Sequence, residues 1–173
     1  MTTMTRRAIR GLAYVGVATA ALGLGGAANA TTSHNRGADV TFTKWIVSLP
    51  TDPTLAGVHM AGVVGGDVGT GTFVGLIIGG DVTSRPGYWL GHARYEFHGS
   101  KHSFVADIHP TENDTITPNS ATIEGVVIKG WMKGARVTGQ YTVVGTCSIP
   151  TPGNVFAPSC IPGTLHLQRG RKH

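Results

Sequence analysis

Charge is scarce in this chain. Only 13% of its 173 residues are Asp, Glu, Lys or Arg, while 40% are hydrophobic. That balance excludes a disordered polyelectrolyte, which needs high charge and few apolar residues. Aromatic residues make up only 7%, and cysteine is nearly absent, with two in the whole chain. No stripe of 3.6-residue period occurs after residue 30, and the 26 glycines weaken any helix they enter, so a helical bundle is excluded. Catalytic signatures are also missing. The sequence contains no Gly-x-Ser-x-Gly elbow, His-Glu-x-x-His, phosphate-binding Walker loop or zinc-finger spacing. Gly69-Thr70-Gly71 is not a dinucleotide fingerprint, because no helical pattern follows it. No cofactor is implied.

The N-terminus reads as an export signal. Arg6, Arg7 and Arg10 precede an apolar run from Leu12 through Leu24, and Ala28-Asn29-Ala30 forms a small-x-small cleavage site. The run is too short and too rich in glycine for a membrane anchor, and no basic stop-transfer cluster follows it. Residues 1–30 are therefore expected to be a signal peptide. Residues 31–173 should then be one secreted, extracellular domain with a basic tail from about residue 169 and no membrane span. The net charge of +5 is concentrated in the leader and in Arg169, Arg171 and Lys172. The body between is nearly neutral, with no basic patch for nucleic acid. In an exported chain Cys147 and Cys160 read as a disulfide closing a proline-rich loop, worth roughly 3 kcal/mol.

Stretches rich in Val, Ile, Thr, Tyr and Phe recur between glycine turns, at 40–49, 58–68, 72–83, 88–98, 101–109, 121–132, 135–147 and 164–169. Eight strands with short links predict an all-β, eight-stranded antiparallel meander barrel, which leaves no open edge; a β-sandwich is the alternative. Two turns set the expected register. A two-residue turn at Gly99-Ser100 places Tyr95 across from Phe104, Phe97 from His102 and His92 from Asp107. A turn at Lys133-Gly134 places Val126 across from Tyr141, Glu124 from Val143, and Trp131 from Arg136 as a cation–π pair. Glycines within strands, such as Gly75, Gly125 and Gly139, leave space for curvature, for a large neighbour or for a cavity.

These registers put Tyr95, His102, Glu124 and Tyr141 on the apolar inner face. They are the candidate ligand-binding residues, since an inward polar group needs a partner and often marks a pocket. His92 and His98 share the outer face. His92, Asp107 and Glu96 there have the composition of a metal or acid–base site, but solvated strand polarity accounts for them and no metal is expected. Asn113-Asp114-Thr115 has the N-glycosylation pattern of a surface loop.

The chain resembles the dirigent-like and allene oxide cyclase-like β-barrel superfamily. The likeness is carried by Gly71-Thr72-Phe73-Val74-Gly75, by Ala93-Arg94-Tyr95-Glu96-Phe97-His98-Gly99, and by the glycine-interrupted strand 123–130, with matching hairpin order over residues 40–169. The resemblance implies an eight-stranded barrel, often a homo-oligomer, whose interior takes small hydrophobic molecules. Some members direct a cyclisation or radical coupling. The leader and the lone cysteine pair are similar to those of small secreted actinobacterial proteins. Three functions are consistent with these readings. One is a secreted barrel binding a small hydrophobic ligand. The second is a dirigent- or cyclase-type enzyme acting on a small apolar substrate through the same residues. The third is an extracellular structural or surface-interaction protein without a ligand pocket, presenting Trp131, Arg136, His92 and Asp107.

Overall fold

A computed structural model describes residues 37–51, 54–81 and 84–170; the expected signal peptide and the last three residues of the basic tail lie outside the described residues. Eight strands follow one another: β1 (Ala38–Ser48), β2 (His59–Gly66), β3 (Gly71–Asp81), β4 (Tyr88–Gly99), β5 (Ser103–Asn113), β6 (Ser120–Gly130), β7 (Arg136–Thr142) and β8 (Ile161–Gln168). Each pairs antiparallel with its neighbour in sequence, and β1 pairs with β8 to close the barrel. The meander barrel expected from the sequence is the fold.

Period-two alternation builds the interior. Along β1, Ala38, Val40, Phe42 and Lys44 point inward; along β4, Trp89, Ala93, Tyr95 and Phe97 do so. One half of the interior is filled by aromatic rings. Phe97 stacks on Phe104 with centroids 4.5 Å apart, Phe42 stacks on Phe73 at 5.8 Å, and Tyr95 meets Phe73 edge-on at 5.0 Å. Offset and edge-on pairs of this kind each contribute about 0.5–1.5 kcal/mol beyond their buried area. Below this plug the β4–β5 turn hydrogen-bonds to the β2–β3 turn, with Lys101 N–H donating to the Val68 carbonyl at 2.9 Å, and that end is closed.

Two registers differ from expectation. In the β4–β5 hairpin Phe97 faces Phe104, Tyr95 faces Ala106 and His98 faces Ser103. The slip is two residues, so each strand keeps its inner face. It lengthens the turn to Gly99–His102, closed by Gly99 N–H to the His102 carbonyl at 3.0 Å. In the β6–β7 hairpin Ala121 faces Tyr141, Ile123 faces Gly139 and Val126 faces Arg136. That slip is odd, and an odd slip turns one strand over relative to the other. Ile123 and Val127 are therefore core residues, while Glu124, Val126 and Ile128 are exposed. A β-bulge between β5 and β6 near Ile128 lets residues 128–130 continue along β5 without pairing to β7, which is why the short turn read from Lys133-Gly134 misplaces β6.

Candidate functional site

The other end of the barrel is open. Residues of the β1–β2, β5–β6 and β7–β8 loops line a cavity of about 520 Å³. Its walls are mostly apolar, with Trp45, Met60, Ile77, Trp89, Val143 and Phe156 among the lining residues. Its floor is polar and is made of four side chains: Lys44, Tyr95, Glu112 and Tyr141.

Lys44 is 2% exposed and is the buried charged residue among the described residues. Its ammonium nitrogen donates to the Tyr95 hydroxyl and lies 4.6 Å from the Tyr95 ring centroid, 4.1 Å from that of Tyr141 and 5.8 Å from that of Phe42. An ammonium over several ring faces gains cation–π attraction, larger where water is excluded. The Tyr141 hydroxyl donates to Glu112 Oε2 at 2.5 Å, the length of a charge-assisted bond. The result is two hydrogen-bonded pairs, Lys44–Tyr95 and Tyr141–Glu112, linked by the ammonium over the Tyr141 ring.

Burial governs the titration of this group. Desolvation lowers the Lys44 ammonium from 10.5 to about 7, against a smaller opposing pull from the Glu112 carboxylate. Burial, then the nearby Glu112 charge, pushes the Tyr95 phenol up. Tyr141 is also pushed well above its ordinary value, first by burial and then by the charges and the hydrogen bond around it. Both phenols stay protonated at neutral pH and can act as donors. Lys44 can take either state there, so an amine and an ammonium are both accessible within one cavity.

The rim is held by the β7–β8 connection. Cys147 and Cys160 are disulfide-bonded with Cα atoms 5.5 Å apart. The Trp45 indole N–H donates to the Pro152 carbonyl at 3.0 Å, and Val155 N–H donates to the Ile46 carbonyl at 2.9 Å. These contacts seat Asn154, Phe156 and Ser159 over the cavity mouth. On the opposite wall the Trp89 indole lies flat across the paired glycines Gly80 and Gly91. A Cβ on Gly80 would stand 2.2 Å from Trp89 Nε1, and one on Gly91 would stand 2.4 Å from a ring carbon. Only glycine leaves room for the ring at these two positions.

Of the four residues expected to line the interior, the structure brings two together. Tyr95 and Tyr141 are buried, 1% and 3% exposed, and both contact the Lys44 ammonium. Glu124 and His102 are not there. The odd slip of β6 turns Glu124 outward, where its side chain is 72% exposed and paired with Arg136 at 3.2 Å. His102 precedes β5, in the longer turn, and its ring stacks on Trp131 outside the barrel with centroids 4.2 Å apart. Trp131 therefore stacks on His102, and Arg136 pairs with Glu124, in place of the expected cation–π contact between them.

Two floor residues were missed from sequence. Lys44 follows Val40 and Phe42 at even spacing, so alternation alone marks it as inward. Glu112 continues the inward series Phe104, Ala106, Ile108 and Pro110, but a strand ended at 109 stops short of it. Pro110 does not end β5, because the β4–β5 ladder has no pairs between Leu90–Thr111 and Ala93–Ile108. The missing proline N–H falls in that gap.

No family model, curated protein or solved structure matches the chain.

Proposed function

We propose that the protein is exported and binds a small, largely hydrophobic molecule at the open end of its barrel. The observation that carries this reading is the cavity of about 520 Å³. Sites for small molecules commonly measure about 300–1,000 Å³ and combine apolar walls with a few placed polar groups. Here the walls would hold an apolar body, while Lys44 and the Tyr141–Glu112 pair would orient a polar end. An acceptor oxygen or an anionic group suits Lys44, and a hydroxyl donor suits Glu112. The disulfide fits an extracellular protein, as the N-terminal sequence also suggests. Among the described residues no helix is long and apolar enough to cross a membrane.

The test is titration of the purified protein with a fluorescent hydrophobic probe, alongside an Ile77→Trp variant that places extra bulk in the cavity. Saturable binding lost in the variant is expected. Binding that is equally strong in both proteins, or absent from the wild type, would refute the reading.

A second reading, a cyclase-type enzyme using the same cavity, is favoured by one observation. A lysine whose ammonium is lowered to about 7 beside two protonated phenols is a competent proton donor and acceptor near neutral pH. In that case Lys44→Met would abolish turnover while the apolar walls still retained substrate.

A further inference from the structure

A second cluster lies on the outer face of β4 and β5, which alternation points away from the cavity. His92 on β4 and Asp107 and His109 on β5 bring three metal-ligating atoms within 4.8 Å of one another. We propose that these three side chains form a binding site for a divalent transition-metal ion such as Zn²⁺, with its remaining coordination positions open to water.

The backbone creates the arrangement. Residues 107 and 109 share the outer face of β5 by alternation. The flanking pairs Leu90–Thr111 and Ala93–Ile108 set His92 across from His109. The two imidazoles stack with centroids 4.7 Å apart and an interplanar angle of 10°. His92 Nε2 lies 3.0 Å from Asp107 Oδ1, and His109 Nε2 lies 3.2 Å from the same oxygen. Ligand atoms about 2.0–2.1 Å from a shared ion stand about 2.8–3.4 Å apart between octahedral and tetrahedral angles. Both nitrogen–oxygen separations fall in that interval. The three atoms together lie within 4.8 Å of one another, so the two partly exposed rings must rotate toward each other for one ion to reach all three.

The surroundings permit access. His92 is also the ladder partner of Gly79 on β3, beside the bulge between Ile77 and Gly79, and a Cβ on Gly79 would meet nothing within 4 Å. The side facing β3 is therefore open. On the β6 side His109 pairs with Glu124, whose carboxylate is held by Arg136. Arg94 on β4 stands across from Asp107 in the ladder. Glu96, the third member suggested by sequence, lies 3.6 Å from His98 and is replaced in the cluster by His109. Two imidazoles and one carboxylate favour Zn²⁺, Ni²⁺, Co²⁺ or Cu²⁺ over Mg²⁺ or Ca²⁺, which prefer all-oxygen sites.

The test is calorimetric titration of the tag-free protein with zinc chloride, paired with titration by cobalt chloride read from the visible bands of the bound ion. One ion per chain is expected. His92→Gln and His109→Gln should each weaken binding at least about tenfold. A double variant at His98 and His102 should bind as the wild type does, and so should Lys44→Met, which separates this site from the cavity. His109 is 60% exposed, so its substitution leaves the core intact and reports on the site even if another variant folds poorly. The absence of zinc heat and cobalt bands, or binding indifferent to the His109 substitution, would overturn the proposal.

Discussion

Replacing Lys44 by Met keeps most of the side chain's volume while removing the ammonium, and so isolates the cost of burying that charge. In the unfolded chain the amine titrates near 10.5; in the barrel burial lowers it to about 7. Between those values the unfolded chain binds the extra proton, so stability rises with pH. The stabilisation is complete above 10.5 and is lost as pH falls through about 7. Each pH unit in the window corresponds to about 1.4 kcal/mol. From pH 7 to about 9.5 the wild type should therefore gain up to roughly 3 kcal/mol relative to Lys44→Met. Tyr95 and Tyr141 act in the opposite direction, because their phenols are raised, but only where free phenols ionise, above about pH 10. Urea denaturation of both proteins at intervals across the window measures the difference directly. Stability–pH curves that run parallel would refute the assignment of Lys44 as a desolvated cavity lysine.

Glu124→Gln should change stability by no more than about 0.5 kcal/mol and leave probe binding intact, as expected of an exposed ion pair; denaturant midpoints and a probe titration check both. Reduction of Cys147–Cys160 should cost roughly 3 kcal/mol, seen as a lower melting temperature in reductant, because the unfolded chain regains the entropy that closing this loop removes. Gly91→Ala should destabilise by about 1–3 kcal/mol and weaken probe binding, since the new methyl drives the Trp89 ring toward the cavity. Thermal melts and the same titration report on it.

The barrel was legible because strand composition, glycine turns and alternation agree along most of the chain. Tyr95 and Tyr141 could be placed inside for the same reason: each sits in a strand whose inner face is plainly apolar. Glu124 and His102 could not be placed correctly. Residues 121–128 carry apolar side chains on both faces, with Ala121, Ile123 and Val127 against Val126 and Ile128, so hydrophobicity does not choose between registers that differ by an odd number. The choice is made by the bulge against β5, a contact between strands that a single-strand pattern does not contain. His102 was lost to a turn two residues longer than the glycine suggested, held by backbone bonds to the β2–β3 turn. Lys44 was visible by alternation but reads as a solvent residue when strands are scanned for hydrophobicity alone. The pairing of His109 with His92 depends equally on the corrected β4–β5 register.

Mass measurement of the folded protein, purified under native conditions from the cells and medium of its source, tests the central claim most directly. A guest on the order of a few hundred daltons should travel with the native chain, leave on unfolding, and be missing from Ile77→Trp. A wild-type chain that flies at its bare mass, and that takes up no hydrophobic compound offered to it, would contradict the account.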